Sequence, residues 1–395
     1  MTEDKSQLRC FVIAGEASGD RIGADFMVAL RDQYENELEF QGIGGAAMQA
    51  AGLRQSLFDM NELAVMGLSE VLPKLLHIRR RIDETIQAIQ AWQPDIVISI
   101  DAPDFGLRVQ RRLNKVIDPQ MRPYQVHYVA PTVWAWRAGR AAKMANYLDH
   151  VLCLYPFEPA YFRCHGLKAD FVGHPVMEST VFDADPGAFR EKHNISAGTR
   201  CVGLLLGSRR GELKRTAPYI CAAAQRYAAE THDNIAFILP TLPHLETHVA
   251  ELVRDIPAPV YISSDSEDKW AAFRTCDCAI AVSGTVGLEL AVADVPHCIA
   301  YRTTMITYWL LSSLVKVDYA HMVNIMNDKA IVPEFLQSRA TASALHNGML
   351  LLLDNKDIRQ RQMNAFQTFR DQLLPPQGDW PSQAAARAIL QKSMY

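Results

Sequence analysis

Short apolar runs alternate with segments whose apolar positions recur three and four apart along nearly the whole of this 395-residue chain. The runs predict strands buried on both faces, and the segments between them predict helices laid over those strands. That alternation places the chain in the α/β class with parallel sheets. In the first half, strands are expected at Cys10–Ala14, at Phe40–Gly45 with a tight turn, and at Ile96–Ile100, Gln125–Ala130, His150–Leu154 and Asp170–Val172. Ile22, Phe26 and Leu30 follow the first strand at helical spacing. A mixed, polar stretch carrying Pro186, Gly187 and Gly198 then predicts an interdomain linker at about 175–200. The pattern resumes with strands at 201–206, 235–239, 259–263, 278–282 and 297–301, and turns mostly helical from about 339, with a last segment over Pro381–Lys392.

Composition narrows the classes. Apolar residues make up 49% and charged residues 21%, enough for each half to bury a core. A net charge of −4 argues against bulk nucleic-acid binding. The eight cysteines fall largely in expected strands and the opening residues are polar, so no signal peptide is expected and the thiols should stay reduced in a cytoplasm. Cys276 and Cys278 read as buried thiols rather than a metal pair, and His244 and His248 as a solvated helix face, so neither metal nor cofactor is expected. No apolar run reaches the roughly 20 residues that span a bilayer. Any membrane contact would be peripheral.

The chemistry concentrates in turns. Cys201–Glu212, C-V-G-L-L-L-G-S-R-R-G-E, is a buried strand emptying into Gly207-Ser208 at a helix start. Free backbone N–H groups and the helix dipole make such a turn an anion pocket, and Arg209 or Arg210 adds a fork for phosphate. A second turn of this kind, Ser283-Gly284-Thr285, follows, with Glu289 placed to accept from a ribose diol. Together the two turns suggest a nucleotide diphosphate site. In the first half, Glu16, Ser18, Gly19 and Asp20 follow a strand, and either cap the next helix through Ser18 or Asp20 or bind sugar hydroxyls. Asp101 ends a buried strand, half desolvated, and is the candidate general base, while Asp104 is read as the cap of the next helix. Trp134 and Trp136 either pack on a sugar or acyl chain or wedge their loop onto its own domain. Gly15, Gly42, Asp101, Pro131, Gly207 and Gly284 all lie at carboxyl ends of strands, where ligands of open α/β sheets bind. They would line one cleft if the two sheets face each other.

Two stretches are apolar enough for a lipid interface. Leu63–Ile78 carries Leu63, Val65, Met66, Leu68, Val71, Leu72, Leu75, Leu76 and Ile78, and runs into Arg79, Arg80 and Arg81. Met305–Val317 is similar. Buried core helices have the same pattern, and the adjoining arginines favour the lipid reading for the first stretch.

The ordered motifs resemble one family. A-G-E-A-S-G-D (14–20), G-I-G-G (42–45), M-G-L-S-E-V-L (66–72), I-D-A-P-D-F (100–105), H-Y-V-A-P-T-V-W-A-W-R (127–137), P-F-E (156–158), F-V-G-H-P (171–175), G-S-R (207–209) and S-G-T-x-x-L-E (283–289) are similar to those of lipid-A-disaccharide synthases. The resemblance implies a GT-B fold, two Rossmann-like domains facing across a cleft. One would span 1–175 with C-terminal helices crossing back from about 365, and the other, at 200–365, would bind the donor. It implies UDP-2,3-diacylglucosamine as donor, 2,3-diacylglucosamine 1-phosphate as acceptor, and an inverting, metal-independent transfer at the inner face of a Gram-negative inner membrane. Asp101 would be the base and Arg209 the charge sink, with Gly207, Ser208, Ser283, Gly284, Thr285, Glu289 and Asn324 holding UDP. The chain departs from the family pattern at Tyr155, Leu206 and Met322-Val323, and at Gly106, where the family often has asparagine. A GT-B sugar-nucleotide 2-epimerase and a non-catalytic nucleotide-sugar-binding protein are the alternatives, and the oligomeric state, a homodimer included, stays open.

Overall fold

The computed structural model describes residues 7–63, 71–136, 139–304 and 317–393, with only the backbone at 71–75 and 392–393. The chain divides into two compact units, Met1–Glu178 with Gln372–Tyr395, and Ser179–Asp371.

The first unit holds a six-stranded parallel sheet: β1 (Gln7–Ala14), β2 (Glu37–Ile43), β3 (Ile96–Ile100), β4 (Tyr124–Tyr128), β5 (His150–Cys153) and β6 (Lys168–Phe171), in the order β2-β1-β3-β4-β5-β6. β3 and β5 are buried at every residue, which is why they read as unbroken apolar runs. Phe11, Ile13 and Val97 pack under Ile82, Ile86 and Ile89 of the helix Val71–Trp92 and Val109 and Leu113 of the helix Pro103–Val116. The last helix, Pro381–Ser393, lies on the helix Ala17–Gln33, and Glu178 fixes its start by accepting from Ser382 N–H at 3.0 Å.

The second unit repeats the plan with β7 (Arg200–Leu205), β8 (Ile235–Pro240), β9 (Val260–Ser263), β10 (Cys278–Val282), β11 (His297–Tyr301) and β12 (Glu334–Leu336), in the order β12-β11-β10-β7-β8-β9, again all parallel. β12 has no counterpart in the sequence reading. It is a three-residue edge strand, only half buried, and too short to show a pattern.

The division between the units, after Glu178, falls inside the stretch expected as a linker at about 175–200. From Ser179 onward that stretch belongs to the second unit. The helix Pro186–Lys192 buries Phe189 and is capped by Asp185, whose Oδ1 accepts from Gly187 N–H at 2.7 Å. Arg274 Nη1 donates to the carbonyls of Val181, Phe182 and Ala184, tying the segment down.

Candidate active site

In the first sheet the winding reverses between β1 and β3, so the carboxyl ends of these two strands lie side by side. Gly15 follows β1 and Asp101 follows β3. Ser18, in the first turn of the helix Ala17–Gln33, donates its hydroxyl to Asp101 Oδ2 at 2.6 Å. Asp101 N–H donates to Tyr128 O at 3.0 Å, anchoring the turn to the end of β4. Three non-glycine residues there have left-handed backbones: Asp101 (φ 52°), Ala102 (φ 28°) and Val129 (φ 74°). Each such conformation costs about 1–3 kcal/mol, and clusters of them mark sites where geometry serves function.

Asp104 is not the cap of the following helix. Ala102 holds the N-cap position, Pro103 opens the helix, and Asp104 is an exposed acid in its first turn, where the dipole favours it. Below the turn, Gln110 Nε2 donates to Ser99 Oγ at 2.6 Å, and that hydroxyl meets His127 Nδ1 at 2.7 Å. Burial pulls the His127 pKa down to about 3. Gly106 lies directly over Ser99, and a Cβ there would come within 2.4 Å of the Ser99 Cβ. The departure from asparagine at 106 therefore has a steric reason.

The second sheet reverses between β7 and β10, and both anion-friendly turns sit at that point: Gly207 beyond β7 and Ser283 beyond β10. Gly207 has φ 101°, in the region that favours glycine. The Gly207 turn already holds an anion of its own chain. Glu212 Oε2 accepts from Ser208 N–H at 3.0 Å and Arg209 N–H at 3.2 Å, and Oε1 accepts from Arg209 Nη1 at 3.3 Å. The Arg209 side chain is still 80% exposed, so most of its guanidinium faces solvent. At the other turn, Gly284 and Thr285 are exposed at the start of the helix Thr285–Val292, and a Cβ on Gly284 would meet nothing within 4 Å. Glu289 lies in this helix, and its Oε1 accepts from Lys269 Nζ at 2.7 Å.

Residues 10–388 match the profile of the family described as lipid-A-disaccharide synthetase. The chain belongs to the lipid-A-disaccharide synthase family. It is 44% identical over 384 residues to the lipid-A-disaccharide synthase of Rhodospirillum centenum, covering 97% of this chain and 94% of that protein. It is 45% identical over 343 residues to the synthase of Ruegeria pomeroyi, covering 85% and 84%. Among solved structures it is similar to Acinetobacter baumannii MurG (TM-score 0.55, 14% identity, 97% and 99% covered). It is also similar to a UDP-GlcNAc 2-epimerase from Neisseria meningitidis (TM-score 0.60, 10% identity, 98% and 99% covered). Those identities speak to the GT-B fold alone. Sequence similarity at this level favours a synthase, a glycosyltransferase, over an epimerase.

Within this synthase-family chain several expected site residues have other duties. Asp20 is buried and does not cap its own helix, whose N-cap is Glu16. Its carboxylate accepts from Gly45, Ala47 and Met48 N–H at 2.6, 3.0 and 3.1 Å, capping the helix Ala46–Ala50. Gly19 serves packing, since a Cβ there would sit 3.0 Å from Ile100 O. Glu16 and Ser18 remain exposed at the Asp101 turn. Trp134 is buried and donates Nε1–H to Glu158 Oε1 at 3.0 Å, so it is a wedge, while Trp136 stays half exposed. Asn324 is fully buried, and its side chain is engaged by its own unit. Its amide donates to Val332 O and Glu334 Oε1, both at 2.8 Å, and accepts from Ile331 and Val332 N–H at 2.9 and 2.8 Å.

The lipid-facing stretch divides. Val65, Met66 and Leu68 lie outside the described residues, as do the side chains of Val71, Leu72 and Leu75 and nearly all of Met305–Val317. Leu63 and Ile78 pack against the first unit's core. Arg81 is corrected: it binds Glu62 Oε1 and Oε2 and Glu84 Oε2, each at 2.6 Å, and lies 4.5 Å over the Phe58 ring. Leu76, Arg79 and Arg80 are exposed on one helix face. Among the described residues no helix is long and apolar enough to cross a membrane, and no group of three or more His, Cys, Asp or Glu side chains is placed to hold a metal ion.

Glu212, Lys269 and Glu158 were missed as site-forming residues. Glu212 stands five residues after Gly207, and an acid three residues after an N-cap is a legible capping signal. Lys269 reaches Glu289 and Glu158 reaches Trp134 across chain distances that no local pattern reports.

Proposed function

We propose that this synthase transfers the diacylglucosaminyl group of UDP-2,3-diacylglucosamine to the 6-hydroxyl of 2,3-diacylglucosamine 1-phosphate, with inversion. The products are the β-1,6-linked disaccharide 1-phosphate and UDP. The observation that carries the reading is the Ser18–Asp101 pair at the switch point of the first sheet, in a chain of this family. Ser18 engages Oδ2, which leaves Oδ1 to take the proton of the acceptor hydroxyl. The acceptor oxygen bonds to the donor's anomeric carbon as the bond from that carbon to the diphosphate oxygen breaks. Arg209 neutralises the charge that collects on the departing diphosphate. Ser208, Ser283, Gly284 and Thr285 offer turn donors to the phosphates, and Glu289 accepts from the ribose hydroxyls.

Peripheral binding at the inner face of the inner membrane follows from the same substrates. Leu76, 70% exposed, and the exposed Arg79 and Arg80 form the docking face. Incubation with radiolabelled donor and acceptor tests the reading. Disaccharide 1-phosphate is expected, whereas an epimerised sugar nucleotide, or binding without turnover, overturns it. The triple variant Leu76→Glu, Arg79→Glu, Arg80→Glu should lose co-sedimentation with anionic vesicles, and unchanged binding would reject this face.

A further inference from the structure

Glu158 is 1% exposed, a carboxylate in the turn after β5, and among the described residues no cation is bonded to it. Its Oε2 accepts from Leu154 N–H at 3.0 Å and Tyr155 N–H at 3.1 Å, and its Oε1 accepts from Trp134 Nε1–H at 3.0 Å. Burying a lone carboxylate is unfavourable, and burial pushes its pKa up to about 7 against the pull of these three donors. Leucine or methionine would fill such a space without that penalty. The bonds explain what the carboxylate does there: it joins the turn after β5 to the loop after β4.

That loop begins beside the proposed base. Asp101 N–H is bonded to Tyr128 O, and the next residue, Val129, is the β-branched residue held at φ 74°. Sparsely populated backbones of this kind persist only where their surroundings over-determine them. Val129 N–H donates to Leu152 O at 3.2 Å, which pins the start of the loop to β5. Glu158 pins the loop five residues later, at Trp134, to the turn leaving the same strand. Phe157 fills the space between, edge-on to Trp134 at 5.2 Å and stacked on Tyr155 at 5.8 Å. The strained segment is thus held at both ends.

We propose that Glu158 is a positioning residue for acceptor transfer, tethering the Trp134 loop so that the Tyr128–Val129 corner holds Asp101 in register. This rests on Asp101 acting as the base on the acceptor. Glu158 touches neither substrate. It acts through Trp134 and the strained corner, and its loss should appear in the acceptor step rather than in the handling of UDP.

The test is a double-mutant cycle on the full chain with Glu158→Gln, Trp134→Phe and the pair. Glutamine keeps the size but cannot accept from all three donors, and phenylalanine keeps the ring but removes the N–H. Each single variant should lower kcat/KM for the acceptor by about tenfold, the scale of a sub-ångström misplacement at a reacting centre. The double variant should be no worse than the poorer single one, and UDP affinity should stay within about twofold of wild type. Glu158→Asp should recover part of the loss. Full acceptor activity in both singles, additive losses, or a loss confined to the donor's KM would each overturn the proposal. Wild-type protein that forms no disaccharide would instead bring down the functional reading and this inference with it.

Discussion

Ser18 and Asp101, 83 positions apart in the chain, share a 2.6 Å hydrogen bond where β1 and β3 end. The bond orients the carboxylate and keeps one oxygen occupied. Asp101→Ala should lose about 10²–10⁴-fold in kcat, the span of general-base removal. Ser18→Ala should lose about 10- to 100-fold, the worth of one hydrogen bond to a charged group. Steady-state rates at saturating donor check both, and an Asp101→Ala enzyme within threefold of wild type would reject the assignment.

Glu212 holds the backbone donors of Ser208 and Arg209 that the proposed function assigns to the diphosphate, so in that reading the two would compete. Glu212→Gln should tighten UDP binding about fivefold, because a neutral acceptor holds those donors by roughly 1 kcal/mol less. It should also lower stability by about 1 kcal/mol through the weakened cap. Titration calorimetry with UDP and thermal unfolding read the two effects separately. Weaker UDP binding in the variant would mean that Glu212 assists rather than competes.

Asn324, in the helix Met322–Asn327, makes four hydrogen bonds to the chain that follows it. Asn324→Ala should cost roughly 3–5 kcal/mol by stranding several buried groups. UDP affinity of the folded fraction should stay within about twofold. Denaturant unfolding and calorimetry decide, and a stable variant with lost UDP binding would return Asn324 to the site.

Gly106 and Ser99 are matched in size. Gly106→Asn should destabilise by about 1–3 kcal/mol through overpacking against Ser99. Its melting temperature settles the point; a variant as stable as the wild type would reject the steric reason.

His297 and His321 form a buried neutral pair. Val323 N–H donates to His321 Nδ1 at 3.2 Å, the two Nε2 atoms are 2.9 Å apart, and His297 Nδ1 meets Val295 O at 2.7 Å. Burial lowers His297 to about 4 and His321 well below its usual value. Both folded values lie under the unfolded one of about 6.5. Their stabilisation is therefore complete above pH ~6.5 and fades as pH falls toward 4 and below, by up to about 1.4 kcal/mol per pH unit for each imidazole. His321→Asn, which keeps an acceptor for Val323, should flatten that decline in unfolding free energy measured from pH 7 to 4.5.

The sheets were legible because strands buried on both faces leave unbroken apolar runs, and because glycine and serine punctuate their carboxyl ends. Edge strand Glu334–Leu336 was not, being short and half buried. The Asp101, Gly207 and Ser283 turns were visible as residue types in the right places. Asp20, Trp134 and Asn324 look like site residues for the same reason, and what separates them is the partner each one finds. Asp20 binds the backbone 25 to 28 residues on, and Trp134 binds a carboxylate 24 residues on. Arg81 differs from Arg79 and Arg80 only in which way its helix turns it, toward Glu62 and Glu84.

The helix Ala17–Gln33 carries Ser18 at its start, and the chain's final helix, Pro381–Ser393, is its cover. Deleting Pro381–Ser393 would strip that cover, so a change made more than 360 positions along the chain from Ser18 would harm the Ser18–Asp101 turn more than it would harm the unit Ser179–Asp371.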